Sequence, residues 1–362
     1  MLGIESRSNR ILGLDIIRVL AIIFVVHGHG AFLLEDTIVS SLPKFQFPYG
    51  VEIFFVLTGF LIGGRFISYL DNCKHLSADK IVRFYTKTAL RILPCYIFML
   101  LVNYFFVQYH IISGDTEKFS MFYFITLTQN IFTPFYDFYW ESWCLPVQWW
   151  FYILFPLFIA AITRFCNLEK TLPWICVVFI LLSMAYRLII FEHANDNFWW
   201  DVWVRKTVAS RTDSIYVGVL ASWINYYHQK WWKNHATISV VIGMFIMAMV
   251  CIVPYNIGTV YSNVCLMTIP PIAIALWLPF LSKIRTCKEP LLKKVTDISV
   301  LSYAMYLTNL LLCEVIGANF AEHFHNLGLM GYIIYWLAVL ITSYMLYIIV
   351  EKPFDKIKQK FV

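Results

Sequence analysis

Charge is scarce in this chain. Only 14% of its 362 residues are Asp, Glu, Lys or Arg, against 60% hydrophobic, where a soluble domain carries about a quarter charged. A water-soluble fold is thereby excluded. Also missing is any Cys-x-x-Cys pair or Cys/His cluster. The nine cysteines are scattered, mostly through apolar runs and basic loops, which excludes a disulfide framework and a zinc-type metal site. No small-residue cleavage site follows the first apolar run, and that run holds Arg and His, so it reads as a retained helix and not a secretory leader. No internal repeat emerges, which counts against a carrier built from two related halves. No loop is long enough to fold alone, so residues 1–362 read as one membrane domain with no appended soluble part. The formal charge of +6 would suit nucleic acid, but the basic residues fall between apolar runs. That is the pattern of a topology signal.

What is abundant is apolar run length. A membrane span needs about 20 mostly apolar residues. Runs that qualify lie near 13–34, 50–70, 91–109, 147–164, 172–190, 212–228, 236–254, 262–281, 297–316 and 329–350. The expected fold is therefore an all-α polytopic bundle of about ten transmembrane helices. A shorter stretch, 119–133, holds Thr126, Thr128, Gln129 and Asn130 and reads as an interfacial or re-entrant piece.

The loops test this list. With the amino terminus inside, one face collects Arg7, Arg10, Lys74, Lys80, Arg83, Lys87, Arg91, Arg164, Lys170, Lys230 and Lys233, then Lys283, Arg285, Lys288, Lys293, Lys294, Lys352, Lys356, Lys358 and Lys360. The other keeps Lys44, Lys118, Arg187, Arg205, Lys206 and Arg211. The positive-inside rule then puts both termini in the cytoplasm.

An ionisable group inside a span costs roughly 2.5–3.5 kcal/mol on insertion scales, so each marks a candidate site. The first run carries Arg18, His27 and His29. Eleven residues is close to three helical turns, so Arg18 and His29 share one stripe about 16 Å long, while His27 points half a turn away. A guanidinium at one end and a titratable base at the other suit a long phosphate-bearing ligand entering from the cytoplasm. Equally, Arg18 can snorkel to headgroups while His29 bonds a neighbouring helix. Glu52 opens the second run at the depth of His29. It either orients that imidazole or sits as an interfacial charge. Gly59 and Gly63 form a small-x-x-x-small pair suited to helix contact. Arg83, Lys87 and Arg91, four apart, fall on one helical side at the cytoplasmic edge, where they clamp phosphates or simply set topology.

These residues resemble, in order and over nearly the whole chain, the integral membrane acyltransferase type 3 family, which includes bacterial surface-glycan O-acetyltransferases. The matching elements are the Arg18-x10-His29 pair, the segment from Gly50 to Ile62, and Leu90-Arg91-Ile92-Leu93-Pro94. They continue with the segment from Trp143 to Pro156, Arg211-Thr212-Asp213, Ser302 to Leu307, and Val350-Glu351-Lys352-Pro353-Phe354. Three positions depart from the family pattern: Thr88 replaces an Arg, Gln148 a Glu and Asn309 a His.

The resemblance implies an O-acyltransferase of the bacterial inner membrane with no metal. Cytoplasmic acetyl-CoA would place its phosphates at Arg18, Arg91, Arg83 and Lys87. His29, with Glu52, would act on a sugar hydroxyl of an envelope polysaccharide such as lipopolysaccharide O-antigen, or of its lipid-linked precursor, as a general base or by first accepting the acetyl group. Trp143, Gln148, Arg211, Asp213, Tyr303 and Asn309 would meet the substrate. Trp140, Trp199, Trp200 and Trp203, in the loops that flank it, would stack on sugar or sit at the membrane interface. A metabolite carrier and a silent family member are the competing readings.

Overall fold

The computed structural model describes residues 10–34, 49–73, 76–118, 120–253, 256–285 and 289–360. Arg7, Lys44, Lys74, Cys287 and Lys288 lie outside the described residues. The described residues are all helix and connecting loop. Ten principal helices follow the ten apolar runs: α1 (Leu12–Gly30), α2 (Gly50–Cys73), α3 (Ala78–Gln108), α4 (Cys144–Ile162), α5 (Leu168–Ile189), α6 (Val208–Tyr227), α7 (Ala236–Ile252), α8 (Ile269–Leu281), α9 (Glu289–Asn319) and α10 (Leu329–Leu346). A short basic helix, α11 (Lys352–Gln359), follows the last.

Among the described residues, seven helical stretches are long and apolar enough to cross a membrane. α7 and α8 are apolar but shorter. α6 has spanning length yet is too polar to qualify, because Ser210, Arg211, Asp213, Ser214 and Ser222 all lie on it, buried. It is the bundle's interior helix, touching protein instead of lipid, so its polarity is tolerated. The protein is a multi-pass membrane protein.

Contacts give the helix directions. α2 and α6 run parallel, for Glu52 meets Arg211 and Gly59 meets Ile215. α1 and α9 run parallel too, with Arg18 beside Ser299 and His29 beside Asn309. Sequence neighbours α5 and α6 are antiparallel, Trp223 reaching Glu169 and Arg187 reaching Asp213. The same holds for α9 and α10, joined at Thr308 and Ser343. Arg10 and α11 fall at one face, Arg10 near Arg18 and Lys358 of α11 near Arg91.

Backbone contact between α2 and α6 depends on glycine. A Cβ on Gly59 would stand 1.9 Å from the Ile215 carbonyl oxygen, and one on Gly218 would stand 2.1 Å from that of Val56. Only the missing side chains let the two helices touch, as the small-residue spacing predicts.

Of the stretch 119–133, described from residue 120, Met121–Thr126 form a short helix ended by Leu127 at φ +56°. It then turns inward, and the Asn130 and Ile131 carbonyls accept the Val208 and Ala209 amides at 2.8 and 3.0 Å. The segment therefore caps the start of α6. Non-helical backbone is acceptable at this depth because protein surrounds it.

Candidate functional site

At the face that carries Arg10 and α11, Asp15 is the hub of a polar cluster. It accepts from Arg10 at 2.6 and 2.8 Å, from Arg18 at 3.1 Å and from Ser299 at 2.8 Å. Arg18 keeps part of its surface open, and Arg91 and Tyr152 lie within its electrostatic reach. Beside them is a cavity of about 370 Å³, lined by Arg65, Lys87, Thr88, Arg91 and Lys358 among others. α2, α3 and α11 each contribute a cation. Arg83 does not join them: eight residues before Arg91, it is turned about 80° around the helix, where it pairs with Asp79 at 3.0 Å in solvent. The expected three-residue clamp is therefore two residues of α3, joined by Arg65 and Lys358.

From Arg91 a line of polar groups runs into the bundle. The Arg91 guanidinium donates to the Tyr152 hydroxyl at 3.0 Å, and Tyr152 donates to Gln148 Oε1 at 3.4 Å. Thr58 donates to the same oxygen at 3.3 Å. Gln148 cannot act as a base, but as an acceptor it joins α2 to α4 midway along the bundle. Tyr303 of α9 closes one side, its hydroxyl donating to the Ile92 carbonyl at 2.8 Å.

At the far end stands His29. Its Nδ1 lies 2.5 Å from Asn309 Oδ1, and Arg205 and Lys206 are near enough for their charges to act on the ring. Arg205 ends a π-helical turn, Asp201–Arg205, that bends the chain into α6. Its guanidinium lies 5.7 Å from the Trp143 ring centre, and the Lys206 ammonium 4.5 Å from that of Trp140. Both cations pair with Asp201. Although burial works against its charge, Asp201 is brought down to about 2 by those two partners. Burial pushes Lys206 down to about 8 despite Asp201. His27 faces α10, 2.8 Å from the Tyr332 hydroxyl, which agrees with its half-turn offset from the stripe.

Several expected site residues turn to partners inside the bundle. Glu52 does not orient His29; its Oε1 accepts from Arg211 at 2.7 Å, deep in the α2–α6 contact. Arg211 and Asp213 are fully buried among helices. Asp213 instead pairs with Arg187, whose five N–H donors are all taken by Ser210, Val264, Thr268 and Asp213. Trp143 is buried edge-on against Phe55, and Trp200 is buried with its indole N–H on the Ser262 carbonyl at 3.0 Å. Trp140, Trp199 and Trp203 keep accessible faces. Asn309, expected at the substrate, is wholly buried and engaged by His29.

Residues overlooked in the sequence are Arg65, Tyr152, Arg205 and Lys358. Arg65 had a signal, being a cation near the inner end of the second apolar run. The others looked like ordinary interfacial residues. Among the described residues no three His, Cys, Asp or Glu gather as a metal would require.

A cationic cavity, an internal polar line and a half-buried imidazole in one bundle are a suitable arrangement for moving a group from a phosphate-bearing donor. The family model for the acyltransferase domain of acyltransferase 3 proteins matches residues 11–350. The chain belongs to that family. It is a membrane acyltransferase, and the match spans α1 to α10 and the described site residues other than Arg10 and Lys358. No curated protein and no solved structure matches the chain.

Proposed function

We propose that this acyltransferase moves an acetyl group from acetyl-CoA to a sugar hydroxyl of an envelope polysaccharide, lipopolysaccharide O-antigen or its lipid-linked precursor, across a bacterial inner membrane. One observation carries the reading: the line from Arg91 through Tyr152 to Gln148 and Thr58 points from the cationic cavity toward the half of the bundle that holds His29. The donor's phosphates bind Arg18, Lys87, Arg91 and Arg65 from the cytoplasm, and its thioester arm follows the line. The acceptor arrives beside Trp140, Trp199 and Trp203.

The chemistry balances without a cofactor beyond the donor. His29 takes the hydroxyl proton as the sugar oxygen attacks the thioester carbonyl carbon. The tetrahedral adduct collapses, the carbon–sulfur bond breaks, and the departing thiolate takes the proton from the imidazolium. The products are a sugar ester and CoA thiol. Arg205, near the ring, is placed to stabilise the oxyanion.

The test is mass spectrometry of envelope glycans from cells with the protein, without it, and with H29A. Acetyl esters should be present only in the first. Reconstituted protein given radiolabelled acetyl-CoA and glycan should label the glycan. Accumulation of unchanged solute in vesicles, with no ester formed, would instead mean a carrier and defeat the proposal.

A further inference from the structure

Asn309 is fully buried on α9, and its amide has no freedom to flip. Nδ2 donates to the backbone carbonyls of Met305 at 2.8 Å and Tyr306 at 2.7 Å, using both of its N–H bonds. Turned over, the amide would set its oxygen against two carbonyl oxygens and leave two donors facing the imidazole. The atom that meets His29 Nδ1 at 2.5 Å is therefore Oδ1, which only accepts. His27 offers the contrast: its partner is the Tyr332 hydroxyl, which both donates and accepts, so either ring form is satisfied there.

We infer that Asn309 is a positioning residue that holds neutral His29 as the Nδ1–H tautomer, leaving Nε2 as the bare nitrogen that takes the acceptor's proton. A neutral imidazole carries one ring proton, and an acceptor at Nδ1 claims it. Two backbone carbonyls thus decide, through one amide, which nitrogen does the chemistry. The catalytic consequence rests on the proposed acetyl transfer; the tautomer does not.

The experiment is long-range ¹H–¹⁵N correlation on ¹⁵N-histidine-labelled protein in detergent, with the His29 signals assigned by H29Q, at a pH where the ring is neutral. Wild type should show the Nδ1–H pattern at His29. N309D, which keeps an acceptor in place, should show it too, while N309L should show a mixture. In turnover, N309L should lose kcat by about 10²–10⁴-fold with the donor KM unchanged, and N309D should recover most of it. An Nε2–H pattern in wild type overturns the inference, as does wild-type kcat in N309L. If the Nδ1–H pattern appears and no variant or wild type acetylates glycan, the tautomer assignment holds and the proposed function falls.

Discussion

Two sets of charged and polar side chains are buried in this bundle, and they differ in how completely they are satisfied. Around α6, Arg187 spends all five donors and Asp213 accepts from Arg187, Thr268 and Ser214. Nothing on Arg187 or Asp213 is left for a ligand. Along α1, α3 and α4, by contrast, Arg18, Gln148 and His29 are only half-buried and hold capacity beyond their internal contacts. A charge within a membrane helix is a candidate site only when its bonds are not already consumed. Closed networks hold helices together, and open lines meet ligands.

Removing one partner from the closed network should have the largest effect. R187L leaves the Asp213 carboxylate buried without its cation, at a cost of about 3–5 kcal/mol, seen as a large fall in the thermal unfolding midpoint in detergent. A midpoint near wild type would break the distinction. A smaller, different effect is expected from the open line. R91A should raise the donor KM roughly tenfold or more, from the loss of a charged hydrogen bond, and leave the unfolding midpoint near wild type. Steady-state kinetics with thermal unfolding separates the two. Smallest of all is R83A. Its pair with Asp79 is solvent-exposed, worth under about 1 kcal/mol, so donor KM and midpoint should both stay put. A raised KM would return Arg83 to the donor site.

Much of the fold was legible in the sequence, because lipid demands long apolar runs and each of the ten runs became a helix. α6 was the instructive exception. Its run sufficed as an approximate span, yet its buried polar face makes it an interior helix, which only the packing of its neighbours reveals. Of the candidate site, the shared facing of Arg18 and His29 was legible, since helical periodicity puts them on one stripe and both meet α9. Glu52 was not, because its partner, Arg211, lies 159 residues away and is brought near only by the glycine contact of α2 with α6. Arg211 and Asp213 illustrate the same limit: a motif names the residues but cannot tell a structural ion pair from a binding group. Arg83 failed for a simpler reason. Steps of four drift around a helix, and two such steps carried it into solvent.

On the proposed mechanism the cationic cavity and His29 are two ends of one donor site. A structure with a non-hydrolysable acetyl-CoA analogue tests it most directly. Phosphates should lie at Arg18, Lys87 and Arg91, with the acyl carbon beside His29 after passing Tyr152 and Gln148. An analogue that stops in the cavity with its acyl end turned away, or that binds elsewhere, would contradict it.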